Sequence, residues 1–295
     1  MGHKVGFDYK KAPVELTFAQ PEYFEYNKNQ YQIILCPWES TELPVGWIDK
    51  FHEADEVWAT SDWVADVYRN AGVENVTTVY PHGIEKRYQP KLKKQTGPLH
   101  FVNLGGPANR KGAQEAFDAF REAFKDDPNR ATLTIKAYQR NLVRWYDKWG
   151  AVRNPADLPN VRVVTKTMEL EELVNFTNSF HASIYPTYGE GFGFLPLETL
   201  AQATPTLTTW EWAHYRDYID LRIDSDLVDS PWDYEHPGQM YKPKLESIVN
   251  ELENLEMNYD ENARRHFKQS LELHNEYNWD ILTQNAFERI VNKFG

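Results

Sequence analysis

From residue 99 to residue 208 the chain switches repeatedly between two periodicities, and this limits its fold more than any other feature. Short apolar runs suited to strands fall at 99–104, 132–137, 161–164, 182–185 and 206–208. Between them lie segments of helical spacing. The clearest puts Ala113, Ala116, Phe117, Phe120 and Phe124 on one face, and another covers 170–176. Such alternation predicts an α/β chain with a doubly wound parallel sheet.

The first third reads as strands with brief connections, at 4–8, 14–18, 31–36, 56–59 and 76–80. The run Tyr31-Gln32-Ile33-Ile34-Leu35-Cys36 is apolar enough for a buried parallel strand. It ends in Pro37-Trp38-Glu39-Ser40, a loop at the sheet edge where α/β proteins place ligands. Ser61 caps a helix whose apolar residues Val64, Val67, Tyr68 and Ala71 share a face, closed by Gly72. Residues 85–97 are polar, rich in lysine and contain Pro90, so they read as a linker. After 206–208 comes a Trp- and Asp-rich section, 210–236, of weak periodicity. Helical patterns follow at 243–255, 261–274 and 279–294.

Composition sets the compartment and excludes some partners. With 295 residues, 41% hydrophobic and 26% charged, the chain is long enough for two cores and is globular. A net charge of −12 opposes bulk attraction to nucleic acid or anionic lipid. Cys36 is the only cysteine, so an internal disulfide and a cysteine metal cluster are excluded, and a cytoplasmic setting is expected. His214, His236 and His274 are too scattered to suggest a metal site, and His82 reads as a linker residue. The N-terminus carries no apolar signal core, and Gly6 stands where a myristoylation motif requires Ser or Thr. No stretch is apolar enough to span a bilayer, and the 62–71 helix sets Asp62 and Asp66 against Arg69, so no membrane partner is expected.

Two glycine turns carry the chemistry. The first, Gly189-Glu190-Gly191-Phe192-Gly193-Phe194, follows a strand and leads into a helix opened by Pro196. Its free amides and the positive end of the helix suit a phosphate, with Glu190 and Glu198 bracketing the turn. The second, Gly105 to Gly112, places Arg110 and Lys111 between a strand and a helix, where a departing diphosphate needs positive charge. The plainer alternatives are a glycine turn with solvated acids and a basic cap on a solvated turn.

The stretch from Tyr188 to Ala201 resembles the Glu-x7-Glu signature of retaining glycosyltransferases of family four. Residues 54–61 and 79–84 resemble the end of that family's acceptor domain and the strand leading out of it. The resemblance implies the GT-B fold, two Rossmann-like doubly wound domains facing a cleft. It divides the chain into an abbreviated acceptor domain and linker (1–95), a nucleotide-sugar donor domain (96–277) and a terminal helix crossing back (278–295). Glu190 then lies by the donor sugar and Glu198 binds the ribose. Gly191, Phe192, Gly193 and Phe194 hold the diphosphate, and Lys111 matches the Lys-Gly of the family's donor site. Relatives carry an arginine where this chain has Gly106, and Arg110 is taken to supply that charge. Thr167 and Met168, in the loop 165–168, fall where the nucleobase lies. Glu39 is the candidate acceptor-side catalytic group.

No metal and no cofactor beyond the donor is implied. The expected acceptor is a saccharide or glycan. The alternatives are a hydroxylated pyrimidine in DNA, with Lys91, Lys93 and Lys94 lining a groove, and a sugar-nucleotide-binding subunit without turnover. A dinucleotide oxidoreductase fits less well, because the turn at Gly105 lacks Gly-x-Gly-x-x-Gly spacing. One departure is plain: the family's first domain is much longer, with a glycine-rich loop where this chain has Tyr9-Lys10-Lys11-Ala12-Pro13.

Overall fold

The computed structural model describes residues 12–105, 110–137, 145–146, 152–154 and 157–294; the strand expected at 4–8 lies outside them. The first sheet has four parallel strands, β1 (Val14–Phe18), β2 (Tyr31–Cys36), β3 (Glu56–Ala59) and β4 (Val76–Val79), side by side in chain order. Two helices connect them, α1 (Trp47–Glu53) and α2 (Asp62–Asn70). The Ser61 hydroxyl caps α2, accepting from the Val64 N–H at 3.2 Å. Helix α1 was not evident in the sequence. It is seven residues long and buries only Trp47 and Phe51, too few to show a period.

The second sheet is built from β5 (Leu99–Asn103) and β6 (Ala131–Lys136), with α3 (Ala113–Phe124) between them. A two-residue antiparallel pair follows, β7 (Trp145–Tyr146) with β8 (Val152–Arg153). Then come β9 (Val161–Val164), α4 (Leu170–Thr177), β10 (Ala182–Tyr185), α5 (Phe194–Ala201), β11 (Thr206–Thr208) and β12 (Leu221–Arg222). An antiparallel hairpin, β13 (Ser225–Asp229) with β14 (Gln239–Pro243), occupies part of the section with weak periodicity. It extends through Pro243, so α6 spans Leu245–Met257 rather than starting at 243. Helices α7 (Tyr259–Glu276) and α8 (Trp279–Phe294) complete the chain.

The six parallel strands run in the order β12-β11-β10-β5-β6-β9. From β5 the chain winds outward one way through β6 and β9, and from β10 the other way through β11 and β12. The reversal between β5 and β10 is a topological switch point, which leaves a crevice at the carboxyl ends of those strands. The apolar face of α3 packs there on Leu99, Phe101, Leu133 and Ile184, with α6 beyond it.

A sheet whose strands follow chain order has its right-handed crossovers on one face only. Accordingly Ile34, Cys36, Val57 and Ala59 pack under α1 and α2. The opposite face, Ile33, Leu35 and Trp58, is covered by Ala286 and Ile290 of α8, from the far end of the chain. An ion pair fixes that helix. The Glu56 carboxylate accepts from Trp58 Nε1 and the Tyr31 hydroxyl, each at 2.9 Å, and meets Lys293 Nζ at 2.5 Å. Burial alone would raise its pKa; the bonds from Lys293, Thr77, Trp58 and Tyr31 outweigh it and bring it down to about 2.

Candidate functional site

The switch point brings the two glycine turns together. The Tyr188 N–H donates to the Arg110 carbonyl at 2.7 Å, and the Thr187 hydroxyl donates to the same carbonyl at 3.0 Å. The turn after β5 is thus tied to the turn after β10. Helix α5 begins at Phe194, two residues before the expected Pro196, with Gly193 preceding it at φ 82°. Pro196 still lies in the first turn, where an N–H has no helical acceptor. Gly189 and Gly191 serve a different purpose, close approach. A Cβ on Gly189 would meet the Glu39 carbonyl at 2.3 Å, and one on Gly191 would meet Pro37 Cβ at 2.4 Å. The turn is pressed against the loop that follows β2, and the Thr60 hydroxyl donates to the Gly191 carbonyl across the same junction.

Four charged side chains meet in this junction. Lys111 Nζ lies 2.5 Å from Glu190 Oε1, and Arg110 Nη1 lies 3.1 Å from the same oxygen. Arg110 Nη2 reaches across to Glu39 Oε1 at 2.7 Å. The Tyr185 hydroxyl, at the end of β10, donates to Glu190 Oε1 at 2.9 Å, and the Thr187 hydroxyl, 3.2 Å from the same oxygen, can turn to it in place of the Arg110 carbonyl. One oxygen of Glu190 is therefore saturated, while Oε2 makes no hydrogen bond among the described residues. Burial would raise the pKa of Glu190, but Arg110 and Lys111 together outweigh it and hold the carboxyl below its ordinary range. For Glu39 burial prevails over Arg110, and Glu190 adds to it, so that carboxyl is pushed up. Burial also pulls Lys111 down, against the attraction of Glu190.

A cavity of about 240 Å³ opens onto this cluster, walled by Phe18, His82, Tyr185 and Phe192 to Leu195 as well as the charged groups. Phe18 and Phe194 are respectively 59% and 42% exposed, and His82 lies between them, stacked on Phe194 with ring centroids 4.8 Å apart. Burial lowers the pKa of His82 to about 4, so the ring is neutral. A second cavity, about 230 Å³, lies along the sheet edge past β5. Its walls are Leu104, Lys136, Ala137, Thr165, Thr167, Met168, Leu173 and Leu195. Leu195 at the start of α5 belongs to both cavities.

The structure thus gathers Glu39, Arg110, Lys111, Glu190 and Gly191 to Phe194 around one cavity, and puts Thr167 and Met168 in the next. Glu198 stands apart: it lines neither cavity, and the Tyr88 hydroxyl of the linker is the group that favours its charged form. Burial, with Glu85 adding to it, pushes Glu198 up to about 7 against the effect of Tyr88. Lys93 is bonded to the Thr204 hydroxyl rather than turned to a groove. Sequence reasoning missed Tyr185, Thr187, His82, Lys136 and His236. The first two had a signal, since Tyr185 ends the strand that runs into the motif and Thr187 follows two residues later. His236, whose Nδ1 lies 3.8 Å from Glu39 Oε2, comes from the hairpin and had none. No group of three His, Cys, Asp or Glu side chains among the described residues is arranged to hold a metal ion.

Two parallel α/β sheets facing a cleft, with a terminal helix returning to the first, define the GT-B fold, and solved structures agree. An α,α-trehalose-phosphate synthase (UDP-forming) from Burkholderia vietnamiensis matches with a TM-score of 0.62 at 12% identity, over 89% of this chain and 69% of that one. A sucrose-phosphate synthase from Thermosynechococcus elongatus matches with a TM-score of 0.61 at 14% identity, over 96% and 74%. TarM matches with a TM-score of 0.63 at 13% identity, over 93% of this chain but 54% of its own. No protein-family model matches the sequence, and no curated protein matches it significantly. No helix among the described residues is long and apolar enough to cross a membrane.

Proposed function

We propose that the chain is a retaining glycosyltransferase of family four that moves a sugar from a nucleotide-sugar donor to a polar acceptor, a saccharide or glycan. The observation that carries this reading is the meeting of Arg110, Lys111 and Glu190 at the switch point, against the start of α5. A diphosphate seated there gains two cations and the helix amides as negative charge builds on it. The name of a UDP-forming synthase with the same fold supports a nucleotide-sugar donor.

In this reading Glu190 is anchored through Oε1 and offers Oε2 to the reacting sugar. The sugar–oxygen bond to the diphosphate breaks while the acceptor oxygen attacks the same face. The acceptor proton passes to the departing phosphate, so no enzyme nucleophile is needed. Glu39, across the cleft, orients the acceptor hydroxyl. Glu198 exchanges its Tyr88 partner for the ribose, and Thr167 and Met168 flank the base. The reaction needs no metal, so chelation should leave turnover intact.

The test is release of nucleoside diphosphate from a panel of nucleotide sugars, alone and with free saccharides, followed by NMR of the product anomer. Release with retained configuration is expected. Failure of every nucleotide sugar to bind or react refutes the reading. A second reading, a sugar-nucleotide-binding subunit without turnover, is favoured by the four-stranded first sheet. Tight donor binding with no release selects it. Transfer to hydroxymethylated DNA has less support, because Lys93 is engaged by Thr204.

A further inference from the structure

We infer that the donor's base is a pyrimidine dione, uracil or its 5-methyl homologue thymine, and that the Lys136 ammonium reads it. This rests on the nucleotide-sugar reading above. The second cavity is placed to receive a base. It lies at the carboxyl ends of β6 and β9, one and two strands beyond β5, on the side away from β10. Neighbouring strands are about 4.8 Å apart. A nucleoside running outward from a diphosphate at β5 and β10 enters this space, and Leu195 joins the two cavities.

The lining is apolar on its walls, Met168 and Leu195 among them, and its polar side chains are few. They belong to Lys136, Thr165 and Thr167; among the described residues no carboxylate, amide or imidazole lines the cavity. An ammonium has three donors and no acceptor. Lys136 makes no hydrogen bond or ion pair among the described residues, and burial pulls its pKa below the usual range. A carbonyl on the ligand therefore gains a charge-assisted bond without displacing a protein partner.

The four common bases meet this lining differently. The dione edge presents two carbonyl oxygens around one N–H, which suits one cation and two hydroxyls. Where the diones carry the 4-carbonyl, cytosine carries an amino group, and adenine has an amino group and no carbonyl at all; an ammonium at that position then faces a donor with a donor. Guanine has one carbonyl and sets an N–H and an amino group beside it, so two adjacent donors would fall on hydroxyls where a dione needs only one accepted N–H. A site built to donate to a carbonyl rejects the analogue that lacks it, because its own donor is left unpaired.

Calorimetry with UDP, dTDP, CDP, GDP and ADP tests this, with inorganic pyrophosphate as the base-free probe. The wild-type protein should bind UDP or dTDP at least about tenfold more tightly than CDP or ADP. Lys136→Met should collapse that preference while leaving pyrophosphate binding unchanged. Equal binding of UDP and CDP by the wild-type protein overturns the inference, and this holds even if the variant does not fold. So does a Lys136→Met loss as large for pyrophosphate as for UDP, which makes Lys136 a phosphate ligand. If no diphosphate binds at all, it is the nucleotide-sugar reading that fails.

Discussion

Glu39→Gln should tighten the binding of a nucleoside diphosphate, the opposite of what removal of a donor contact does. In the ligand-free cluster two cations face two carboxylates, and Glu39 Oε1 sits 2.7 Å from Arg110 Nη2, in a position suited to a phosphate oxygen. An incoming diphosphate must displace that carboxylate or lie beside it. At about 5 Å and an effective dielectric constant of about 20, two like unit charges repel by about 3 kcal/mol. The amide in the Glu39→Gln variant would keep an acceptor for Arg110 but lose the charge, so part of this gain is offset by the weaker pair in the free protein. A net gain of about 1–2 kcal/mol remains, roughly a five- to thirtyfold lower Kd. Calorimetry with UDP at pH 8, with thermal melts of both proteins to confirm folding, measures it. Because burial raises the Glu39 pKa, acid protonates it earlier than an ordinary carboxylate, and the difference between the proteins should shrink towards pH 5. Turnover should fall in the same variant if Glu39 orients the acceptor as proposed. A Kd unchanged or raised in a folded variant refutes the competition argument.

Other outcomes follow from the same geometry. Lys111→Ala should weaken UDP and intact donor about ten- to a hundredfold while uridine binding changes little, because the lysine meets charge present only on phosphate; calorimetry showing equal losses for uridine rejects that role. Glu190→Gln should depress kcat far more than donor affinity, and Tyr185→Phe should do so more weakly, as steady-state kinetics will show. For Glu198, a folded pKa of about 7 above an ordinary 4.5 means the unfolded chain loses its proton first as pH rises. Its contribution to stability is then full below about pH 4.5 and falls by about 3 kcal/mol as pH rises through 7; Glu198→Gln should flatten that slope in urea melts between pH 5 and 8. Deleting 279–294 should strip Ile33, Leu35 and Trp58 of their cover, and hydrogen exchange in β2 and β3 should rise well before exchange in β5 and β6.

What was legible in the sequence is what neighbouring residues decide. The α3 face repeats at helical spacing and packs as one surface. Ser61 caps the helix it precedes, and the parallel strands of the second sheet announce themselves by their alternation with helices. The glycine turn before α5 was legible as a close-approach site, and the loop after β2 is one partner that approaches it. What was hidden rests on partners far apart in the chain. Glu39 carries no local mark of its bond to Arg110, and Glu198 none of the burial that raises its pKa. The hairpin β13–β14 was hidden for another reason. Exposed alternation of Ser225, Asp226, Leu227, Val228 and Asp229 lacks the contrast of a half-buried strand.

The covering of the first sheet belongs to that same long-range class. The four described parallel strands, joined in chain order, leave one face bare, and among the described residues before the linker no helix buries Ile33, Leu35 and Trp58. Helix α8 supplies it, held by Lys293 on Glu56 and entered by a β-bridge between Ile84 and Asn278 beside the linker. The linker and the returning helix therefore cross between the sheets side by side, close to His82, whose ring also contacts Trp279 at 5.9 Å. Motion of the first sheet over the donor cavity must pivot on this pair of strands of chain. It must also break the Arg110–Glu39 bond on the far side of the cleft. If the proposed function holds, a diphosphate at Arg110 weakens that bond directly, and filling the site and loosening the cleft become the same electrostatic event.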